Sequence, residues 1–291
     1  MAARAWVLNF DADLELAFGA GYQAPAFVAA RAPELARRLA PLVAPGDVVL
    51  GPEQPAGHRG DLKGLEGHAF CMTTSAARRL IAFGVAPVAA PSMEILRAAN
   101  HRGFCADLGQ TLPHAAFSRT IEDVRSAVAG IAREGDALLK RPFGFAGRGQ
   151  RRVRGELTAK DIAWLEATPL AEGVQVEPAV TIVVEHSVHG VLSPDGAVRL
   201  GPIVGQACDG QGAWQGTRRL AAGELGQSER DQALGEAERA ARALRDLGYH
   251  GPFGVDGFVY RHGGGRAHQP RGEINARYTM GWSLGPPSLL D

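Results

Sequence analysis

The sequence carries no net charge, few cysteines and no long apolar segment. Its 31 basic residues balance 31 acidic ones, so charge gives no reason to expect a nucleic acid or a membrane as partner. No apolar run approaches the roughly 20 residues of a membrane-spanning helix, and the N-terminus lacks a signal-peptide core. The three cysteines are far apart and lack metal-site spacing, which is typical of a reducing compartment. We expect a cytoplasmic globular protein.

Two common nucleotide-binding motifs are missing, and lysine is rare. No G-x-G-x-x-G follows the first predicted strand, and no G-x-x-x-x-G-K-[ST] loop occurs anywhere in the chain. No Ser-His-Asp or Cys-His arrangement suggests a catalytic nucleophile. Only three of the 31 basic residues are lysines, namely Lys63, Lys140 and Lys160. These absences leave the usual dinucleotide-binding and P-loop folds without support.

The first hundred residues alternate between strand-like and helix-like patterns. Strands are predicted at residues 5–10, 47–50 and 85–89, helices at residues 33–42, 74–83 and from about residue 92, and a loop at residues 53–67. This alternation predicts an α/β layer with parallel strands.

An acidic turn follows the first predicted strand. Asp11, Asp13 and Glu15 could bind a metal ion, but we favour helix capping and compensation of the helix dipole.

A second pattern begins after Pro113. Strands at residues 115–117 and 137–140 enclose a helix at residues 120–133, and a returning strand is predicted at residues 151–154. Between the last two strands lie Gly144, Gly147 and Gly149. Glycine permits close approach and unusual dihedral angles, so this flap could cradle phosphates with its backbone N–H groups.

Lys140 ends the first strand of the flap. A compact ammonium suits a single phosphate oxygen, whereas a guanidinium favours a planar, bidentate partner. The alternative is a solvated lysine at a strand end.

Two strands separated by a bend at Pro178 follow at residues 173–185. Glu177 lies where the chain could turn past a flat ligand such as adenine. A strand at residues 198–204 then leads into a glycine-rich loop at residues 205–219. A long loop of this kind is either functional or a mobile surface loop. An amphipathic helix is predicted at residues 229–247.

The last two predicted strands, which a loop at residues 261–271 connects, carry three oxygen-bearing side chains. In a strand at residues 272–277, Glu273 and Asn275 share a face, and Asp256 of the preceding strand can lie near them. Such oxygen donors suit Mg²⁺ that holds nucleotide phosphates. The alternative is the polar face of an ordinary hairpin.

Taken together, residues 91–281 resemble the ATP-grasp superfamily of carboxylate–amine ligases. The resemblance rests on the segment at residues 90–100, Lys140 with its glycine flap, Val176-Glu177-Pro178, Glu185, Gly254-Val255-Asp256, and Glu273-Ile274-Asn275-Ala276-Arg277. It implies an α/β (α+β) architecture with two α+β subdomains that clamp ATP. A small parallel α/β domain would precede them. The implied boundaries are 1–98, 99–174 for the flap subdomain and 175–291 for the metal-site subdomain.

The resemblance also implies site residues. Contacts to ATP would come from Arg102, Lys140, Gly144, Gly147, Gly149, Glu177, Val180 and Glu185. Mg²⁺ (or Mn²⁺) would be held by Asp256, Glu273 and Asn275, and Arg277 and Lys140 would be catalytic. Weaker candidates for substrate contacts are Trp214, Arg218, Arg219 and Tyr278. Arg102 stands where the family usually has lysine, which leaves its role open.

The implied reaction activates a carboxylate as an acyl phosphate and joins it to an amine, with release of ADP. The partners would be small-molecule acids and amines, whose identities the sequence leaves open, as it does the oligomeric state, with a homodimer as one option. One alternative is an ATP-dependent phosphotransferase on the same fold. Another is a nucleotide-binding regulatory protein whose catalytic site has degenerated, although the intact trio Asp256, Glu273 and Asn275, together with Lys140, argues against it.

Overall fold

The computed structural model describes residues 3–39, 42–51, 62–109, 111–145, 147–167, 170–210 and 214–285. They form three sheets, one parallel and two antiparallel. None of the helices in these ranges combines the length and the hydropathy of a membrane span.

The first sheet is parallel and consists of four short strands. The strands are β1 (Arg4–Val7), β2 (Val48–Val49), β3 (Glu66–Ala69) and β4 (Ala86–Pro87), in the order β2-β1-β3-β4. The accompanying helices are α1 (Ala12–Phe18), α2 (Ala26–Arg38) and α3 (Thr74–Ala82). The registers of β1 with β2 and β3 are parallel, so the predicted parallel layer is confirmed.

Two details of the N-terminal prediction are wrong. Helix α2 begins at Ala26 and carries Pro33 inside it. Strand β3 falls partly in the predicted loop at residues 53–67, of which residues 53–61 lie outside the described residues. The pattern does not predict this strand, because a glycine such as Gly67 is more typical of a loop. A Cβ there would lie 2.7 Å from the carbonyl oxygen of Ala86, so the glycine serves close packing, not a loop.

Helices α4 (Met93–Asn100) and α5 (Arg102–Asp107) lead from the first sheet to the second. The second sheet consists of β5 (Ala116–Ser118), β6 (Ala137–Phe145), β7 (Arg148–Val153) and β8 (Val174–Pro178), in the order β5-β8-β6-β7. Helices α6 (Ile121–Ile131) and α7 (Ala159–Glu166) belong to the same part of the chain. Buried residues of α6 pack with Leu139 and Val176 of the sheet in one hydrophobic cluster.

The third sheet is antiparallel and has five strands. They are β9 (Ile182–Leu192), β10 (Val198–Cys208), β11 (Trp214–Arg219), β12 (Gly251–His262) and β13 (Gly265–Asn275), in the order β11-β10-β9-β12-β13. Helix α8 (Gln227–Asp246) packs against this sheet with a face of buried alanines and Leu244. Small side chains let the helix approach Phe253 and Val255 closely.

The hairpins are tighter than predicted. Strand β6 continues to Phe145 and β7 begins at Arg148, so Gly144 and Gly149 lie in strands. The predicted loop at residues 205–219 is largely the β10–β11 hairpin. Between β12 and β13 the turn is only Gly263–Gly264. Polar and glycine-rich segments lack the apolar alternation that predicts a strand. They nevertheless pair in these hairpins, because a backbone ladder forms independently of side-chain polarity.

Candidate functional site

Asp256 and Glu273 lie directly opposite each other in the β12–β13 ladder. Burial and the charge of Glu273 raise the pKa of the Asp256 carboxyl to about 6. Asn275 follows on the same face of β13, and its Nδ2 donates to Asp256 Oδ2 over 2.8 Å. The three side chains that the sequence predicts as metal ligands are therefore brought together.

Arg277 lies two residues beyond the end of β13 and binds Asp13 of helix α1. Its Nε and Nη2 donate to the two carboxylate oxygens of Asp13 over 3.0 and 2.6 Å. Nη2 also donates to Asn275 Oδ1 over 2.9 Å. Burial lowers the pKa of Arg277, but Asp13, Cys71 and Glu273 raise it by more. The guanidinium therefore stays charged. Sequence reasoning missed this partner, because the two residues lie 264 positions apart.

The other acidic residues of the N-terminal turn have tertiary partners. Asp11 makes no side-chain capping hydrogen bond and accepts instead from the Tyr22 hydroxyl over 2.6 Å. Glu15 accepts from the backbone N–H and the hydroxyl of Ser75. Capping is therefore the wrong interpretation for Asp11, although Asp13 and Glu15 do lie in the first helical turn.

Arg102 lies between the flap and Glu273. Its Nη2 is 3.0 Å from Glu273 Oε1, and its Nε donates to the carbonyl of Arg141 over 3.0 Å. A Cβ at Gly144 would lie 2.8 Å from Arg102 Nη2. Gly144 therefore gives the guanidinium the room it needs to reach Glu273.

Lys140 of β6 forms an ion pair with Glu177 of β8. Lys140 is paired with Gln175 and Leu138 with Glu177 in the ladder, so the two charged side chains share a face. Their side chains are only 17% and 7% exposed. The alternative of a freely solvated lysine at a strand end is therefore wrong.

The flap hairpin uses glycine in left-handed backbone conformations. Gly147 and Gly149 have φ values of 76° and 81°, which residues with a side chain rarely adopt. Next to them, the Arg148 guanidinium lies over the Phe27 ring of α2, 4.0 Å from its centroid. The flap thus reaches helix α2 of the N-terminal part of the chain.

Glu185 and Val180 lie on the other side of the bend from Glu177. Glu185 of β9 is half-buried and pairs with Phe258 and Gln206 in the neighbouring strands. Burial and Glu185 raise the pKa of the Cys208 thiol. Val180 is partly buried in the connection between β8 and β9.

The four weaker candidates lie on an edge strand and in a hydrophobic cluster. Trp214 Nε1 donates to Gln206 Oε1 over 3.0 Å, and Arg218 pairs with Glu224 at 2.6 Å. Arg219 is exposed at the end of β11. Tyr278 packs in a hydrophobic cluster, with its ring 5.3 Å from that of Trp6. These positions favour structural roles for Arg218 and Tyr278.

The chemistry of the acidic cluster fits a hard divalent cation. Asp256, Glu273 and Asn275 offer carboxylate and amide oxygens, which are the ligands that Mg²⁺ and Mn²⁺ take. Burial and the facing carboxylate of Glu273 raise the pKa of Asp256, and a cation between the two carboxylates would remove their repulsion. Among the described residues, no group of three or more His, Cys, Asp or Glu side chains could hold a metal ion; the candidate set consists of two carboxylates and the Asn275 amide.

No protein-family model and no curated protein matches this chain. Solved structures do match. N5-carboxyaminoimidazole ribonucleotide synthetase from Thermus thermophilus has a TM-score of 0.51 and 20% identity, over 94% of this chain and 71% of that chain. A biotin carboxylase–β,γ-ATP complex from Campylobacter jejuni has a TM-score of 0.54 and 16% identity, over 74% of this chain and 49% of that chain. D-alanyl-alanine synthetase A from Vibrio cholerae has a TM-score of 0.54 and 12% identity, over 98% of this chain and 93% of that chain.

These likenesses concern the fold, because the identities are low. They confirm the mixed α/β architecture and the ATP-grasp fold that the sequence predicts. The last of the three covers nearly the whole of both chains.

Proposed function

We propose that this ATP-grasp protein is an ATP-dependent ligase that activates a carboxylate as an acyl phosphate and joins it to an amine. The observation that carries the proposal is the convergence of Asp256, Glu273 and Asn275 beside Arg102 and the flap. The structural neighbours support it, because each is named as a synthetase or a carboxylase, and one was solved with β,γ-ATP.

ATP would lie between the second and third sheets. Lys140 would exchange Glu177 for a phosphate oxygen, since an ammonium suits a single oxygen of that kind. Glu177, Val180 and Glu185 would flank the adenosine part at the bend between β8 and β9. The flap backbone around Gly147 and Gly149 would close over the phosphates and exclude water from the acyl phosphate.

Mg²⁺ or Mn²⁺, held by Asp256, Glu273 and Asn275, would supply positive charge to the nucleotide phosphates. Arg277 would keep Asn275 in place through the Nη2–Oδ1 hydrogen bond and add a fixed positive charge next to the site. Arg102 would keep Glu273 oriented until the nucleotide arrives. The carboxylate then attacks the γ-phosphorus, ADP leaves, and the amine displaces phosphate.

A substrate screen tests this function. The purified protein is given ATP, Mg²⁺ and candidate acids, with and without candidate amines, and ADP release is followed with product masses. We expect ADP release that depends on both partners and a product equal to acid plus amine minus water. A stable phosphorylated acid or alcohol formed without an amine would instead make the protein a phosphotransferase.

Two lysine variants make the screen specific to the site. Lys140→Met should lower turnover at least about 100-fold, because a charge that faces the reacting phosphates is lost. Lys160→Met changes an exposed lysine of α7 and should leave turnover unchanged. Equal turnover in the two variants would contradict the role of Lys140.

A further inference from the structure

Two buried polar residues of β9 lie on the same face of the third sheet as Asp256. Ser187 is directly opposite Asp256 in the β9–β12 ladder, and His189 is directly opposite Gly254. Alternation along the strand directs both side chains to that face. Both residues are completely buried, and neither has a part in the function proposed above.

The His189 ring occupies a space that three glycines leave open. A Cβ at Gly281 would collide with the ring, one at Gly285 would lie 2.7 Å from Nδ1, and one at Gly254 would lie 3.3 Å from Cδ2. Trp282 approaches edge-on, with its centroid 6.1 Å from the imidazole. The ring is therefore enclosed, and its orientation is fixed.

His189 Nε2 lies between two hydroxyls. Ser187 Oγ is 3.2 Å away and Thr279 Oγ1 is 2.8 Å away. Burial lowers the pKa of His189 to about 3, so the neutral ring has a single N–H. Ser187 faces Asp256 across the β9–β12 ladder, and a carboxylate offers only acceptors to the serine hydroxyl. When this hydroxyl donates to Asp256, its oxygen is free to accept from the Nε2–H of His189, which Thr279 Oγ1 also contacts.

The same ring nitrogen also reaches the segment that holds Asn275. Thr279 lies two residues beyond Arg277, whose Nη2 donates to Asn275 Oδ1. The hydroxyl of Thr279 also accepts from the backbone N–H of Gly281 over 3.3 Å, which fixes the start of the short helical turn at Met280–Ser283. His189 thus contacts both Ser187, which faces Asp256, and Thr279, which lies in the segment that follows Asn275.

We propose that Ser187 and His189 are positioning residues that hold the Asp256 carboxylate in the orientation needed to bind a divalent cation. His189 orients Ser187, and Ser187 orients Asp256. The proposal rests on the proposed function in that it requires the cation site. Removal of hydrogen-bond partners behind metal ligands typically weakens metal affinity 10–100-fold.

The test measures cation affinity directly. Mn²⁺ is titrated into the protein in the presence of a non-hydrolysable ATP analogue, and free Mn²⁺ is followed by electron paramagnetic resonance. Ser187→Ala should weaken Mn²⁺ binding about tenfold or more, while metal-free binding of the analogue remains as in the wild type. His189→Phe, which keeps a ring in the glycine-lined space, should weaken Mn²⁺ binding as well.

Ser118→Ala is the matched control, because Ser118 is a buried serine on β5 of a different sheet. It should bind Mn²⁺ as the wild type does, and an equal loss in this variant would contradict a specific role for Ser187. Wild-type affinity in both Ser187→Ala and His189→Phe would overturn the positioning proposal and leave the proposed function intact. Absence of Mn²⁺ binding by the wild-type protein would overturn both.

Discussion

The Asp256 carboxyl is under opposing influences. Burial and the charges of Glu273 and Glu185 raise its pKa, whereas Ser187 and the Arg277 guanidinium lower it. The net pKa of about 6 lies well above the ordinary value of 3.8. In the absence of a cation, the folded protein therefore holds this proton more tightly than the unfolded chain does.

Linkage gives the sign of the pH effect on stability. Between about pH 4 and 6 the folded state binds more protons, so the free energy of unfolding of the metal-free protein falls as the pH rises through this window. Asp256→Asn removes the carboxylate and should stabilise the metal-free protein by about 1–3 kcal/mol at pH 7.5. At pH 4.5 the difference should be much smaller. Denaturant unfolding in chelator at both pH values measures it.

Asp246→Asn provides the control, because this aspartate is exposed at the end of α8. We expect its stability to stay within about 0.5 kcal/mol of the wild type at both pH values. A stabilisation by Asp256→Asn of equal size at pH 4.5 and 7.5 would contradict a raised pKa at this position.

The acidic trio was predictable because period-two alternation places Glu273 and Asn275 on one face. The contacts of the residues around the trio were not predictable from the sequence. Asp13 and Arg277 are joined only by the tertiary fold, and nothing in local periodicity pairs residues so far apart. Ser187 and His189 show the alternation of a strand, but the enclosure of the His189 ring depends on three glycines, of which Gly281 and Gly285 lie near the C-terminus.

At the scale of elements, strand adjacency determines which charged residues meet. Strands β6 and β8 are separated in sequence by β7 and α7, yet they are neighbours in the sheet. The sequence predicted separate nucleotide contacts for Lys140 and Glu177, and it gave no sign of their ion pair. Strand existence could be read from β-branched and apolar patterns, whereas strand order could not.

The ion pair between β6 and β8 makes a prediction about stability. Lys140→Met leaves Glu177 buried without its partner, which should lower the free energy of unfolding by about 3 kcal/mol. Adding Glu177→Leu removes the unpaired buried charge and should restore most of the lost free energy of unfolding. Denaturant unfolding of the two single variants and the double variant gives the coupling energy. Additive losses would contradict a direct interaction of the two side chains.

At the scale of the whole molecule, the parallel sheet and the five-stranded sheet are joined next to the acidic trio. Helix α1 supplies Asp13, and the segment after β13 supplies Arg277. The alternation of strands and helices predicted the parallel layer, but the tie between the sheets depends on tertiary packing. The division at residues 98 and 174 stays a prediction.

The ion pair between Asp13 and Arg277 should contribute to the stability of the whole chain. Asp13→Asn removes the charge partner of Arg277, whose side chain is 13% exposed, and should cost about 3–5 kcal/mol. Glu34→Gln removes an exposed i,i+4 pair with Arg38 and should cost less than about 1 kcal/mol. Denaturant unfolding compares the two variants. Similar costs would show that the Asp13–Arg277 pair does not hold the sheets together.

The most direct test of the proposed nucleotide and cation site is a thermal-shift titration with a non-hydrolysable ATP analogue. It is done with Mg²⁺ and with chelator on the wild type, on Glu273→Ala and on Glu66→Ala, an exposed control. At 100 times its Kd the analogue should stabilise the wild type and the control by about 2.7 kcal/mol, a rise of a few degrees. Mg²⁺ should be required, and Glu273→Ala should lose the rise. No rise in the wild type at millimolar analogue, or an undiminished Mg²⁺-dependent rise in Glu273→Ala, would contradict the site.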